Sequence, residues 1–262
     1  MANPIILGVD LSVPTFNWKT SAGVDNNNSS FPTSNLKNGY PDIVSKSNST
    51  DAGQYLLIDF GSAVSCNALA LDGINFSGIA DINVKLQTNI NDDTTWTDAS
   101  DITEITQNNN AQLITFFVQT KRYWRILFSS TAPLTAAPQI GNIFLGTRTE
   151  FDSTQQWDYV PQMPSHGVVQ SEALDGRLRG AITAGGRYNW EMEFKLQSDT
   201  ILSNWRTLLN IVKNNGIPFY FKDEDGNVWC VLFDANYNPG RAFRYNLNDI
   251  VRFKMKTVLA NY

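Results

Sequence analysis

Near residue 150 the chain passes from one all-β pattern to another, and this break limits what it can fold into. Before it, Tyr55–Gly61 and Arg122–Phe128 read as short apolar strands separated by long polar loops. After it, the order is strand, helix, hairpin, strand, with little between them. A single 262-residue chain is long enough for two ordinary domains. The pattern predicts a division into residues 1–150, a connector at 151–165, and a second domain at 166–262. The connector carries Phe151, Trp157, Tyr159, Pro161 and Pro164. It is too aromatic for a free linker, and it is expected to lie against one or both domains.

In the first half, Ile82, Val84 and Leu86 alternate with Asn83, Lys85 and Gln87, the two-residue period of a half-buried strand. Gln54–Gly61, Ser65–Asp72, Leu113–Gln119, Tyr123–Phe128 and Gln139–Gly146 supply further strands. Residues 20–54, rich in Asn, Ser, Asp, Gly and Pro, read as loops. Several short strands, long connections and no convincing helix indicate a β-sandwich. Within Arg122–Ile126, Tyr123 and Arg125 share one face, Trp124 and Ile126 the other. Arg125 is expected to pair with a carboxylate such as Asp59 or to sit at the sheet edge.

In the second half, Trp190, Met192, Phe194 and Leu196 alternate with Asn189, Glu191, Glu193 and Lys195, and Ala184–Arg187 reads as the preceding turn. Ser198 or Asp199 caps a helix whose stripe is Ile201, Trp205, Leu208 and Val212, with Leu202 and Leu209. Gly216 is its stop signal. Pro218–Lys222 and Val228–Phe233 make a hairpin across an Asp-Gly turn. The turn Asp223–Gly226 is too short for a calcium loop and reads as solvated. A last strand alternates Val251, Phe253 and Met255 with Arg252, Lys254 and Lys256.

Composition excludes several functions. The formal net charge of -5 and the absence of any Lys/Arg run give no footprint for nucleic-acid recognition. The N-terminus lacks the basic and apolar regions of a secretory signal, and no stretch approaches a membrane span, so synthesis is expected in a cytosol. Cys66 and Cys230 each sit in an apolar stretch and read as buried free thiols; no zinc set or other metal site is in view. His166, the only histidine, falls in Met163–Gly167, which reads as a loop, and no Gly-x-Ser-x-Gly elbow accompanies it. No catalytic residue and no cofactor is expected.

Leu57–Gly61, Gln87 through Trp96, Lys121–Ile126 and Ile140–Gly146, taken in this order, resemble the discoidin-type galactose-binding-like jelly roll. The chain departs from that pattern at Asn142, where the family often has an acid. The resemblance implies a jelly-roll sandwich whose end loops hold sugars, here 20–50, Asp72–Ala80 and Asn89–Thr95. Asn75, Phe76, Asp92 and Asp93 are then the candidate carbohydrate-binding residues, since sugar sites join an aromatic face to planar polar groups. The alternative places Phe76 in the core and Asp92-Asp93 in a solvated turn.

The layout of the second half, with Gly185–Phe194 and Pro218–Gly226, resembles the tail-tube-type domains of bacteriophage tail tube, distal tail and baseplate hub proteins. This resemblance implies a mainly β protein: an N-terminal sandwich plus a tail-tube-like sandwich or barrel with one helix. It also implies a ring of identical subunits, a hexamer or a trimer, joined sheet to sheet. The partners would be tube, hub and fibre proteins in the virion, with host surface glycans as a weak ligand of the first domain. The long hairpin by which tube subunits stack is not visible in the sequence. The competing reading is a carbohydrate-binding module that forms no ring.

Overall fold

The computed structural model describes residues 3–89, 95–99, 102, 105–151, 162–172, 178–195, 199–215, 217–223, 225–233, 243–245 and 248–257. In chain order the strands are β1 (Ile5–Leu7), β2 (Thr15–Lys19), β3 (Ser45–Lys46), β4 (Gln54–Asp72), β5 (Asn83–Asn89), β6 (Thr97–Asp98), β7 (Gln112–Ser129), β8 (Gln139–Ile140), β9 (Asn142–Gly146) and β10 (Thr149–Glu150). They continue with β11 (Gln162–Glu172), β12 (Leu178–Lys195), the helix α1 (Asp199–Asn215), β13 (Phe219–Lys222), β14 (Val228–Phe233), β15 (Phe243–Tyr245) and β16 (Asn248–Thr257). The protein is mainly β, with one α-helix among the described residues. That helix is not long and apolar enough to cross a membrane.

Two compact units form, Ile6–Arg148 and Met1–Ile5 with Thr149–Tyr262. The opening residues therefore belong with the C-terminal unit, where the sequence pattern had kept them with the sandwich.

In the unit Ile6–Arg148 a sheet runs β2-β4-β7-β5-β6, with β9 added to β4, and a two-stranded sheet joins β3 to β8. The alternation in β5 holds: Val84, Leu86 and Thr88 are buried, and Asn83, Lys85, Gln87 and Asn89 are half-buried. Trp124, Ile126 and Phe128 of β7 enter the same core, and Tyr123 and Arg125 lie on the other face, as the pattern requires. The core is cross-braced by aromatics. Trp18 and Phe76 each pack on Phe128, at centroid distances of 5.5 and 5.6 Å, and Phe116 packs on Trp124 at 5.7 Å. Trp18 also donates from Nε1 to the buried Ser45 Oγ (2.9 Å).

The pattern suggested two separate strands at 54–61 and 65–72; the chain makes one strand of 19 residues. Gly61 lies at φ +72, and the pairing with β7 shifts register between Asp59/Val64 and between Cys66/Ala68. These irregularities bend the strand without ending it. The two segments predicted at 113–119 and 123–128 are likewise continuous in β7.

In the C-terminal unit the sheet order is β10-β1-β13-β14-β16-β12-β11, and β15 pairs with β16. Trp205, Leu208, Leu209 and Val212 form the buried stripe of α1. Trp205 contacts Phe151 and Phe233, at 6.0 and 5.8 Å between ring centres, so the helix docks on the sheet through its largest side chain. Gly216 and Ser198 lie outside the described residues.

Two predicted loops are corrected. Ala184–Arg187 is not a turn but runs within β12, and His166 lies within β11. The β11–β12 pairing shifts register three times between Gln162 and Val168, so irregular local sequence is absorbed as bulges within a long hairpin. The turn Asp223–Gly226 is also more than a solvated corner. Asp223 is buried; its Oδ1 accepts from the amides of Asp225 (3.1 Å) and Asn227 (2.8 Å), and its Oδ2 accepts from Asn227 Nδ2 and Trp229 Nε1 (both 3.1 Å). The carboxylate thus organises the turn.

A Cβ placed on Gly141 would lie 2.1 Å from the Pro41 carbonyl oxygen, and one placed on Gly73 would meet the same atom at 2.1 Å. Gly141→Ala should therefore destabilise the protein by about 1–3 kcal/mol, the usual range for forced overpacking. Gly78→Ala, whose Cβ would meet nothing within 4 Å, should stay close to the parent in a urea titration of both variants.

Candidate functional site

The loop end of the sandwich is built on the contacts just described. Pro41 is wedged between Gly73 and Gly141, and Asn75 ties a third segment to them. Its Nδ2 donates to the Ala137 carbonyl (3.0 Å), and its Oδ1 accepts from the Gln139 amide (2.9 Å). Gln139 Nε2 donates to the Gly73 carbonyl (3.2 Å). Asn142 is buried and donates from Nδ2 to the Gly39 carbonyl (2.8 Å). A carboxylate at 142 has no proton to donate to Gly39, which gives the departure from an acid at this position a physical reason.

Of the sequence-predicted site residues, Asn75 and Phe76 are therefore given structural work. Both ends of the Asn75 amide are engaged by backbone, and Phe76 is fully buried edge-on against Phe128. Its ring presents no face to solvent. Asp92 and Asp93 lie outside the described residues.

Among the described residues the exposed aromatic side chains are Phe117 on β7, 69% exposed, and two in the loop between β2 and β3. Phe31 is 36% exposed, Tyr40 39% and Ile43 40%. Lys46 Nζ stands over the Phe31 ring at 4.3 Å. The sequence pointed to this loop among others but not to these residues. The available signal was the presence of aromatics in a stretch otherwise made of Asn, Ser, Gly and Pro, where no core periodicity accounts for them. Rigid loops that present exposed rings can bind by stacking and hydrogen bonding.

A second cluster covers the outer face of β4, β7, β5 and β6. The Arg125 guanidinium lies over both the Tyr55 ring (4.7 Å) and the Trp96 ring (4.5 Å). Its Nε donates to Gln87 Oε1 (2.7 Å); Gln87 Nε2 donates to Asp98 Oδ1 (2.6 Å); Lys85 Nζ pairs with Asp98 Oδ2 (3.1 Å). Asp59 takes Arg122 in place of the expected Arg125, through Nε–Oδ1 at 2.8 Å and Nη2–Oδ2 at 3.1 Å. The strand register explains this. Arg125 stands opposite Leu57 and Gln87, where Tyr55, Gln87 and Trp96 are in reach, while Arg122 falls in the bulge beside Asp59.

The electrostatics follow these contacts. The hydrogen bond from Arg122 holds Asp59 below the ordinary carboxylate value, against partial burial, with help from the Gly61 amide. The bond from Gln87 does the same for Asp98, against burial, assisted by Lys85. Burial lowers the Arg125 value, opposed by Tyr55 and Asp98. Burial also pushes the Cys66 thiol up to about 12, so it is no nucleophile at neutral pH. Cys66 and Cys230 are buried and not joined in a disulfide. Among the described residues no group of three or more His, Cys, Asp or Glu side chains could hold a metal ion.

No family model matches the chain, and no curated protein matches it. Solved structures do. The chitosan-binding module 1 of a chitosanase/glucanase from Paenibacillus sp. IK-5 is 16% identical, with 53% of this chain and 98% of that one covered and a TM-score of 0.40. The family 32 carbohydrate-binding module of C. perfringens NanJ, solved with galactose, is 15% identical, with 54% and 98% covered and a TM-score of 0.41. The family 32 module of AlyQ, solved with 4,5-unsaturated mannuronic acid, is 16% identical, with 50% and 92% covered and a TM-score of 0.38.

Because the folded value of Asp98 is depressed, the stability it contributes is present above the unfolded carboxylate value, near pH 3.9, and is lost as pH falls through the lower folded value. Asp98→Asn should therefore lower stability at pH 7 by less than about 1 kcal/mol, as expected for an exposed pair. The difference from the parent should shrink as pH falls below the unfolded carboxylate value and vanish once Asp98 is protonated in the folded protein, measured by denaturant titration across pH.

Proposed function

We propose that this protein is a structural component of a bacteriophage tail tip, of the distal-tail or baseplate kind. Its C-terminal unit joins copies of itself into a ring, and its sandwich serves as an attachment point for tube, hub or fibre proteins or as a weak binder of host glycans. The observation that carries the reading is β11. Among the described residues it is an eleven-residue strand at the end of the sheet order, paired on one side by β12. A long open edge is a template for another strand, and identical subunits that share edges head to tail close into rings. The long antiparallel pairing of β11 with β12 supports the reading, because tail-tube subunits stack through a long hairpin. In a ring, weak sugar contacts gain avidity by roughly 10²–10⁴ where geometry lets several copies engage.

A second reading, a carbohydrate-binding module without ring formation, is favoured by the exposed Phe31 and Tyr40. Light scattering and negative-stain microscopy separate the two. The ring reading expects a trimer or hexamer. Adjacent residues of an edge strand aim their N–H groups to opposite sides. Of Val168→Pro and Val169→Pro, the one whose N–H points away from β12 should therefore yield a folded monomer. A monomeric parent at every concentration, with glycan-array binding that Phe31→Ala and Tyr40→Ala abolish, would favour the second reading and sink the first.

A further inference from the structure

The two units exchange the chain twice, once near Ile5 and once near Arg148. The strands that lead in and out are neighbours on both sides of the boundary. In the C-terminal unit the Phe151 amide donates to the Pro4 carbonyl (3.1 Å), and β1 stands between β10 and β13 in the sheet. Within the sandwich, a Cβ on Gly146 would lie 2.5 Å from Val9 Cγ1 and 3.9 Å from Leu7 Cδ1. The incoming residues 7–9 thus run beside the outgoing residue 146.

We infer that the sandwich is a module inserted between two adjacent strands of the C-terminal sheet, and that β1 is an obligatory inner strand of that sheet. The sequence of β1 agrees. Ile5, Ile6 and Leu7 are all buried, as in a strand covered on both faces, whereas a half-exposed edge strand alternates. Without β1, β13 would lose its neighbour and β10 its place in the order. The hundred C-terminal residues are thus an incomplete sheet, and the missing piece lies nearly 150 residues away in the chain. The sandwich is tied at both ends to the sheet that carries the proposed ring edge. Insertion of a domain whose ends lie close together is well tolerated, because the host sees only a lengthened turn.

Hydrogen exchange on the full chain, read by peptide mass spectrometry, tests this. Ile5→Pro removes a backbone donor from β1, and Ile5→Thr weakens the strand more gently. Either variant should speed exchange at least about tenfold in Phe219–Lys222 and Thr149–Phe151 and leave Asn83–Asn89 at the parent's rate. If Ile5→Pro unfolds the whole chain, the Ile5→Thr pattern decides. Faster exchange in Asn83–Asn89 with Phe219–Lys222 unchanged, or no change in either segment for either variant, overturns the inference. Assembly is not the readout. A monomeric parent with the expected exchange pattern would sink the ring and leave the insertion standing.

Discussion

A long strand that packs on one core along its whole length must keep its inward side chains in phase with its neighbours, and the nineteen residues of β4 meet this constraint beside three partners of one sheet. Its first part pairs with β2 through Tyr55–Asp59, and its last part with β9 through Ala68–Asp72. Leu56 and Ile58 fill the core at even positions, Leu69 and Leu71 at odd ones. With a strict two-residue period, one of these pairs would face away from the core. Cys66 keeps the even parity, so the reset falls at the second register shift, between Cys66 and Ala68, while β7 follows alongside. The aromatic bracing by Trp18, Phe76, Trp124 and Phe128 depends on that reset, because those residues come from segments on both sides of it.

The molecule treats its sheet edges unequally. Beside β2, the Asn26 amide donates to the Trp18 carbonyl (2.7 Å), the Trp18 amide donates to Asn27 Oδ1 (2.9 Å), and Lys19 pairs with Asp25 (2.7 Å). That edge is closed by the chain itself. At the other end, β6 has two residues. Short or covered edges resist pairing with strangers. Against this background the eleven residues of β11 stand out, and they are what the assembly proposal rests on. The same accounting applies to polar groups: Asn75 and Asn142 hold backbone, and Asp223 holds two amides and two side chains, so each shapes a turn or a loop end.

Much of the local structure was legible because it rests on periodicity. The alternation of β5, the stripe of α1 and the hairpin of β13 with β14 each follow from residues a few positions apart. Legibility ended where local chemistry was ambiguous. Gly185 and Gly186 look like a turn, yet they fall in a register shift within β12, between Ala184 and Arg187, both of which pair with β11 some twenty residues earlier. Pro164 and Gly167 made His166 look like a loop residue for the same reason. At the candidate site, an Asn beside a Phe has the composition of a sugar-binding pair. Burial decided otherwise, since Phe76 meets Phe128 and Asn75 meets residues more than sixty positions away. Which of Arg122 and Arg125 takes Asp59 is likewise a matter of register across two strands.

The sequence by itself determined the class: two β-rich halves, one amphipathic helix, buried thiols and a net charge of -5. These properties follow from composition and from short-range patterns that every local segment carries. Tertiary structure alone decided that Ile5–Leu7 completes a sheet built mostly from residues beyond 148, that β11 ends that sheet among the described residues, and that Phe31 and Tyr40, not Phe76, face the solvent. The physical reason is common to all three. Strand neighbours and ring exposure depend on which distant segments supply the missing hydrogen bonds and apolar contacts, and three residues such as Ile-Ile-Leu carry no mark of the partner they will find.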